Sequence, residues 1–219
     1  MKSSVLLSTT LALALTSNAF AADVVTTTEP TPAPVTYDWS GPYIGVSGGG
    51  ALAHHTMVTG PSATENFGLP TLAVFGGYNW QSSNIVYGID GSVGYRFGKH
   101  TQTGVSGPGT METKLGLDGA LRGRIGMDMG AFLPYVAAGI TATQLRTFWP
   151  FGPAERDTTL VGGTVGVGAD VKLSEKMFLR AEYDFSAYGT KTLNYCGGGC
   201  VMDHKLQTHD FIVGVGYKF

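Results

Sequence analysis

The sequence has 219 residues, of which 14% are charged and 33 are glycine, and its formal net charge at pH 7 is −2. This length suits one domain, and glycine at about twice its usual share of roughly 7% favours strands and turns over helices. Because basic residues are not in excess, the composition argues against a nucleic acid partner.

The N-terminal region predicts an export signal followed by a tether. Lys2 supplies the positive start, residues 5–15 are apolar, and residues 19–21 form a small-x-small cleavage site. The apolar stretch is shorter than the roughly 18 residues that a membrane-spanning helix requires. We therefore expect a signal peptide over 1–21 and a Pro/Thr-rich periplasmic tether over 22–38, whose composition keeps it extended.

Runs of aromatic and β-branched residues mixed with glycine follow the tether. The eight predicted strands are 41–53, 71–81, 85–97, 113–127, 131–147, 158–171, 177–189 and 206–219. Short turns alternate with long loops, and the long loops are 54–70, 98–112, 148–157 and 190–205. Tight periplasmic turns and long external loops are typical of outer-membrane barrels. The sequence therefore predicts an all-β protein, an eight-stranded antiparallel transmembrane up-and-down β-barrel over 39–219, with both chain ends in the periplasm.

Alternation within the strands predicts lipid on one face of the wall and a polar interior on the other. In strand 177–189, apolar Tyr183 and Phe185 alternate with Glu182 and Asp184. The strands that repeat this pattern are 85–97, 113–127 and 206–219. A soluble protein with one solvated face explains any single strand equally well, but it explains the repetition less well.

The charged residues on the predicted inward faces are balanced in sign. The interior charge network is expected to comprise Asp90, Arg96, Lys114, Asp118, Arg122, Arg124, Asp170, Arg180, Glu182, Asp184, Asp210 and Lys218. An eight-stranded barrel is only wide enough for side chains to fill it, so these charges should pair in a filled polar interior and line no wide pore. Inward glycines such as Gly166 and Gly168 are expected to leave room for the long arginines.

Aromatic residues near the strand ends are expected to lie in the two interfacial girdles of such a barrel. They are Trp39, Tyr43, Trp80, Phe97, Trp149 and Phe178.

Three segments carry a resemblance to a known family. They are Trp-Ser-Gly-Pro-Tyr-Ile-Gly at 39–45, Pro-Tyr-Val-Ala at 134–137 and Val-Gly-Val-Gly-Tyr-Lys-Phe at 213–219. The chain from about residue 37 onward resembles the small porin-family surface antigens of Gram-negative bacteria, a family of immunogenic outer-membrane proteins with some hemin-binding members. The resemblance implies that the alternating residues of the last strand form the signal read by the barrel-assembly machinery. These are Phe211, Val213, Val215, Tyr217 and Phe219.

Cysteines and histidines are the candidates for chemistry. Cys196 and Cys200 flank three glycines in the last long loop, and an oxidising exported setting favours a local disulfide, although both thiols could also be free. Because the first and last strands become neighbours when a barrel closes, His54 and His55 could approach Cys196, Cys200, His204 and His209. The candidate hemin or metal ligands in this group are His54, His55 and His204. Loop histidines are usually only solvated, the spacing matches no strong zinc motif, and no cofactor is otherwise expected.

Catalysis has a weaker basis, so we do not expect an enzyme. No G-x-S-x-G nucleophile elbow is present, Ser186 is predicted to face inward, and His209 alone, predicted to face outward, cannot establish a triad.

The expected function is that of a monomeric structural barrel in outer-membrane lipid, which supports envelope integrity. Its outer loops would display recognition surfaces to host or environmental ligands. A hemin or metal receptor is the alternative, and a narrow porin channel or a lipid-modifying enzyme is less favoured.

Overall fold

A computed structural model of the protein describes residues 37–58, 62–103, 110–148, 156–194 and 201–219. Over these ranges the chain forms strands joined by turns, and they contain no helix long and apolar enough to cross a membrane. The strands are β1 (Gly41–Val58), β2 (Ser62–Ser82), β3 (Ile85–Arg96), β4 (His100–Thr103), β5 (Thr110–Met127), β6 (Phe132–Phe148), β7 (Arg156–Lys172), β8 (Met177–Tyr188), β9 (Lys191–Asn194) and β10 (Val201–Lys218).

The eight long strands form a closed antiparallel barrel. They pair in the order β1-β2-β3-β5-β6-β7-β8-β10, and β10 pairs back onto β1 with Tyr43 opposite Lys218. The short strands β4 and β9 pair with β5 and β10. Closure leaves no unpaired edge along the wall, so the backbone satisfies its own hydrogen bonds. The predicted eight-stranded barrel is confirmed.

The barrel has two distinct ends. At the proximal end, where Tyr37 and the C-terminal Phe219 lie, the connections are the short turns 83–84, 128–131 and 173–176. At the distal end the strands run further than predicted, because β1 continues to Val58 and β2 begins at Ser62. Most of the predicted loop 54–70 is therefore barrel wall, as are parts of the predicted loops 98–112 and 190–205.

A belt of exposed apolar side chains surrounds the middle of the wall. Ile44, Leu121 and Phe211 are each more than half exposed, at 54%, 59% and 54%. On β1 the outward side chains are apolar or glycine from Ile44 to Leu52, and His54 and Thr56 follow beyond it. A water-soluble protein rarely leaves so continuous an apolar surface uncovered, whereas a barrel in lipid requires it.

Inward glycines create room for large side chains, but these are not arginines. A Cβ at Gly166 would lie 2.1 Å from Oδ1 of Asp184, and one at Gly168 would lie 2.7 Å from the Tyr135 hydroxyl oxygen. The expectation that glycines make room for arginines is therefore wrong at these two positions, where a carboxylate and a phenol ring occupy the space.

A β-bulge in β5 reverses the expected direction of one charged side chain. The pairing of β5 with β6 shifts register between Leu115 and Asp118. Because an extra residue in one strand inverts the alternation beyond it, Leu115 is buried inside the barrel and Lys114 faces outward with its side chain 50% exposed. The prediction that Lys114 joins the interior charge network is wrong for this reason.

Cysteine labelling tests the bulge. In a Cys196→Ala, Cys200→Ala background, Lys114→Cys should react with a water-soluble maleimide, because this position faces outward, and Leu115→Cys should not, because that side chain is only 1% exposed. Arg146→Cys, at the position paired with Lys114 on β6, is the matched reactive control. Faster labelling at 115 than at 114, measured by mass shift, would show that the regular alternation continues through this segment.

Candidate functional site

Arg180 lies at the centre of an ion-pair core inside the barrel. Its Nε and Nη2 donate to the two carboxylate oxygens of Asp170 at 2.9 and 3.1 Å, and its Nη1 donates to Asp90 at 2.8 Å. The guanidinium also lies 4.3 Å from the centroid of the Phe75 ring. Since the side chain is fully buried, both of its carboxylate partners are needed to offset its desolvation.

Arg122 and Arg124 extend this core to further carboxylates. Arg122 donates to Asp90 and Asp184 at 2.6 Å each and to Glu182 at 2.8 Å. Arg124 donates to the same Asp170 that holds Arg180, at 2.8 Å. Residues from β3, β5, β7 and β8 thus meet at one level of the barrel, which links four strands through charge-assisted hydrogen bonds.

Two tyrosines complete the hydrogen bonding of the core. Tyr43 donates to Asp90 and accepts from Arg124, while Tyr135 donates to Glu182. The Arg124 guanidinium also lies 3.8 Å from the centroid of the Tyr135 ring. Tyr135 satisfies the Glu182 oxygen that Arg122 does not reach, whereas Tyr43 shares its Asp90 oxygen with Arg180. The charge pattern of the sequence did not indicate either hydroxyl.

A second, smaller ion-pair layer lies on the distal side of the core. Arg96 donates to both oxygens of Asp210 at 3.0 and 3.2 Å and to Thr143 at 3.2 Å, and its Nη2 lies 3.7 Å from Asp118. Between the two layers is a cavity of about 60 Å³, lined by hydroxyl and charged side chains that include Ser47. Such a space holds only a few water molecules.

The interior charges do not balance as the sequence predicted. Four arginines (Arg96, Arg122, Arg124 and Arg180) face six carboxylates (Asp90, Asp118, Asp170, Glu182, Asp184 and Asp210) in the described wall. Lys218 is outside this network, because it lies at the proximal end, where its backbone N–H donates to the Lys176 carbonyl oxygen in the turn 173–176. There it donates to the carbonyl oxygen of Asp38.

Apolar layers close the interior at both ends of the ion-pair core. The proximal layer contains Tyr37, Trp39, Tyr43, Phe75, Val86, Leu133 and Phe178. The distal layer contains Ala53, Leu69, Leu115, Leu145, Leu160, Tyr188 and Leu206. The expectation that Trp39, Tyr43 and Phe178 lie in the lipid-facing girdles is therefore wrong, since all three point inward. Trp80 and Phe97 do face outward, 42% and 46% exposed, and Trp149 lies outside the described residues.

The segment before β1, residues 37–40, closes the proximal end of the barrel interior. The Trp39 indole donates to Asp128 at 3.2 Å, its backbone N–H donates to Gln81 at 2.8 Å, and the Tyr37 hydroxyl donates to the Glu175 carbonyl at 2.9 Å. The backbone N–H of Ser40 holds the pKa of the Asp38 carboxyl below its ordinary value. The last two residues of the predicted tether thus pack against the barrel.

The three histidines proposed for hemin or metal do not converge. His55 and His204 are buried inside the distal end, where Nε2 of one lies 3.0 Å from Nδ1 of the other. His54 is on the opposite face of β1, as alternation requires. No group of three or more metal-ligating side chains occurs in the part of the chain that the structure describes. Cys196 and Cys200 lie outside the described residues.

His54 instead belongs to an outward cluster at the distal edge of the apolar belt. Its ring centroid is 5.5 Å from that of His209, whose Nδ1 lies 2.7 Å from the Tyr183 hydroxyl. The Phe185 ring packs against His209, and the Phe211 ring packs against Tyr183. Alternation along β10 predicts the outward direction of His209, and the closure of the first strand onto the last brings His54 beside it.

The residues of the proposed assembly signal share the lipid-facing side of β10. Phe211, Val213, Val215, Tyr217 and Phe219 are all exposed.

Comparisons with known proteins agree with this architecture. Residues 8–219 match the family model described as outer membrane protein beta-barrel domain. The chain is 36% identical to the 25 kDa outer-membrane immunogenic protein of Brucella melitensis, over all of this chain and 99% of that protein. It is 30% identical to the 22 kDa outer membrane protein of Rhizobium leguminosarum, over 83% of this chain and 78% of that protein. The fold is similar to that of OprG from Pseudomonas aeruginosa, with a TM-score of 0.57 and 16% identity over 82% of this chain and 96% of that one.

Removing the central arginine should destabilise the barrel strongly. Arg180→Met removes one of the two arginine partners of both Asp90 and Asp170, which are buried, and this should lower the free energy of unfolding by about 3–5 kcal/mol. Arg146→Met, which breaks the exposed pair with Asp157, should lower it by at most about 1 kcal/mol. Urea-induced unfolding in lipid vesicles measures both.

A second substitution separates charge from packing. Adding Asp170→Asn to Arg180→Met should recover part of the lost stability, because it removes one uncompensated carboxylate. Equal effects of Arg180→Met and Arg146→Met would contradict a stabilising role for the core.

Proposed function

Since this chain belongs to the outer membrane protein β-barrel domain family, we propose that it is a structural outer-membrane barrel that supports envelope integrity and displays its distal end for recognition. The proposal rests chiefly on the filled interior, in which an ion-pair core lies between two apolar layers. With the inside occupied, the lipid-facing wall and the two ends are the surfaces that remain for function.

The arrangement of the ends supports an orientation with the proximal end in the periplasm. Short turns and both described chain ends are together at the proximal end, and bacterial outer-membrane barrels keep their short turns in the periplasm. The distal wall beyond the belt then extends into the exterior and carries the remaining connections. A relative is named an immunogenic outer-membrane protein, which supports display of this end.

We favour this role over a narrow channel, because the described side chains fill the interior with an apolar cluster on either side of the ion-pair core. A steady single-channel current in planar bilayers would instead favour the channel.

We also favour it over a hemin or metal receptor and over a lipid-modifying enzyme. His55 and His204 bond to each other and are buried, so a planar macrocycle could reach them only if the distal end opened. Among the described residues, the hydrogen-bond partner of outward-facing His209 is Tyr183, which supplies neither the acid nor the serine of a hydrolase triad. A shift of the hemin absorption band that His55→Ala abolishes would support the receptor instead.

Surface tagging tests the display of the distal end. An epitope inserted within 149–155, between β6 and β7, should bind antibody on intact cells. The same epitope between Ser83 and Asn84, in a proximal turn, should bind only after the outer membrane is permeabilised. The reverse result would mean that the barrel is inserted with the opposite orientation.

Deletion of the gene tests the structural role. Cells without the protein should take up a hydrophobic fluorescent dye faster than wild-type cells, because a packed protein is missing from the lipid layer. Complementation with the wild-type chain should restore the slow rate, and so should the tagged 149–155 variant, whose barrel wall is unchanged. Unchanged dye entry together with unchanged detergent resistance would contradict a role in envelope integrity.

A further inference from the structure

We propose that the outer wall of the barrel binds one phosphorylated glycolipid of the outer leaflet, with a phosphate at His54, His209 and Lys205 and an acyl chain in a groove that leads to them. The inference rests on the proposed function, because it requires the distal end to lie at the outer surface of the membrane.

The polar part of this lipid site lies where the outward side chains change from apolar to polar. Leu52 is the last apolar outward residue of β1 and pairs with His209. Beyond them the outward positions are His54, which pairs with Gln207, and then Lys205, which pairs with Thr56. In a barrel that spans the membrane, the headgroup phosphates of the outer leaflet lie at this level. The three side chains therefore face the depth at which a phosphate is available.

The His209 imidazole is held so that it can donate outward. When the Tyr183 hydroxyl donates to Nδ1 of His209 across 2.7 Å, the ring proton lies on Nε2 and can be donated to a phosphate oxygen. Nδ1 of His54 is buried and has no hydrogen-bond partner among the described residues. Because a headgroup cannot reach a buried nitrogen, the His54 ring would donate to a phosphate through its other nitrogen, Nε2.

Lys205 supplies the cationic charge. It is exposed, and no ion pair engages it in the described wall. The neighbouring outward carboxylate, Asp203, accepts a hydrogen bond from Thr192 at 2.6 Å. A free lysine ammonium beside two imidazole donors suits an anionic phosphate group.

An apolar groove in the wall leads toward these residues. It has a volume of about 730 Å³ and crosses β3, β5, β6, β7 and β8. At its floor Gly123 pairs with Ala138, and a Cβ added at Gly123 would meet nothing within 4 Å. The small residues therefore leave a depression between the larger apolar side chains on either side.

The groove and the polar residues lie on one cross-strand row. Gly123 pairs with Ala138, Ala138 with Val165, Val165 with Phe185, and Phe185 with His209. At about 4.8 Å per strand this row spans about 19 Å, and one leaflet of a hydrocarbon core about 30 Å thick is about 15 Å deep. Because barrel strands are tilted, the row runs obliquely through the leaflet. An acyl chain lying along it would reach the phosphate site with its head.

Lipid retention by the intact barrel tests the proposal. The full chain, folded in detergent with lipid A and purified, should carry one lipid A per barrel by native mass spectrometry. Dephosphorylated lipid A should bind at least about tenfold more weakly, because charge-assisted hydrogen bonds are lost. His54→Phe with His209→Phe and Lys205→Gln should show the same loss for lipid A, whereas Lys99→Gln, in an exposed pair with Glu112 on another sector, should not.

A groove variant tests the acyl chain independently. Gly123→Leu with Ala138→Leu should reduce retention of both lipid forms, because the new side chains fill the floor. Gly91→Leu, at another uncrowded outward position, is the control and should leave retention unchanged. Equal binding of both lipid forms by the wild-type chain, or wild-type binding by either set of variants, overturns the site.

Gel mobility distinguishes failure of the site from failure of the proposed function. A folded barrel migrates faster before boiling than after it. If the wild-type chain shows this shift but retains no lipid, the lipid site is wrong and the structural role stands. If the shift is absent, the barrel itself is in question.

Discussion

Closure of the wall between β1 and β10 is the constraint on which the rest of the molecule depends. In hydrocarbon, each backbone N–H and C=O must be satisfied within the protein, and only a closed ring of strands does this for a sheet. Because the closed barrel has only eight long strands, its interior is narrow. It also brings the first and last strands together, so that His55 meets His204 inside and His54 meets His209 outside. Two pairs of residues remote in the sequence become neighbours on opposite faces of one seam.

The filling of that interior follows from the same constraint. Polar side chains cannot face the lipid belt, so they accumulate inside, where they must satisfy one another. The core does this around Arg180, and Tyr43 and Tyr135 supply hydroxyls to its carboxylates. The apolar layers on either side separate the ion pairs from bulk water, which strengthens their interaction and also makes the loss of any one partner costly.

Much of this architecture could be predicted from the sequence, because alternation reports directly which face of a strand meets lipid. The strand number and the antiparallel order follow from the strand-like runs and the alternation of short turns with long loops. The inward direction of Arg122, Arg124 and Arg180 follows from period two. Lys114 could not be placed, because a bulge changes the phase without changing the composition. The sequence predicted Trp39 at the lipid interface, whereas it lies inside the proximal end. An aromatic residue near a strand end suits either position, and only tertiary contacts decide between them.

The distal extension of the strands has a consequence for how the exposed surface can vary. Beyond the belt, β1 and β2 remain hydrogen bonded up to the pair of Val58 and Ser62, so much of the exposed end is a rigid collar and not free loop. Inward positions on this collar, such as His55, are held by packing, while outward ones such as Thr56 contact only neighbouring outward side chains. Tolerated substitutions should therefore fall on every second residue, and antibodies against the collar should recognise a conformational epitope shared between strands that boiling destroys.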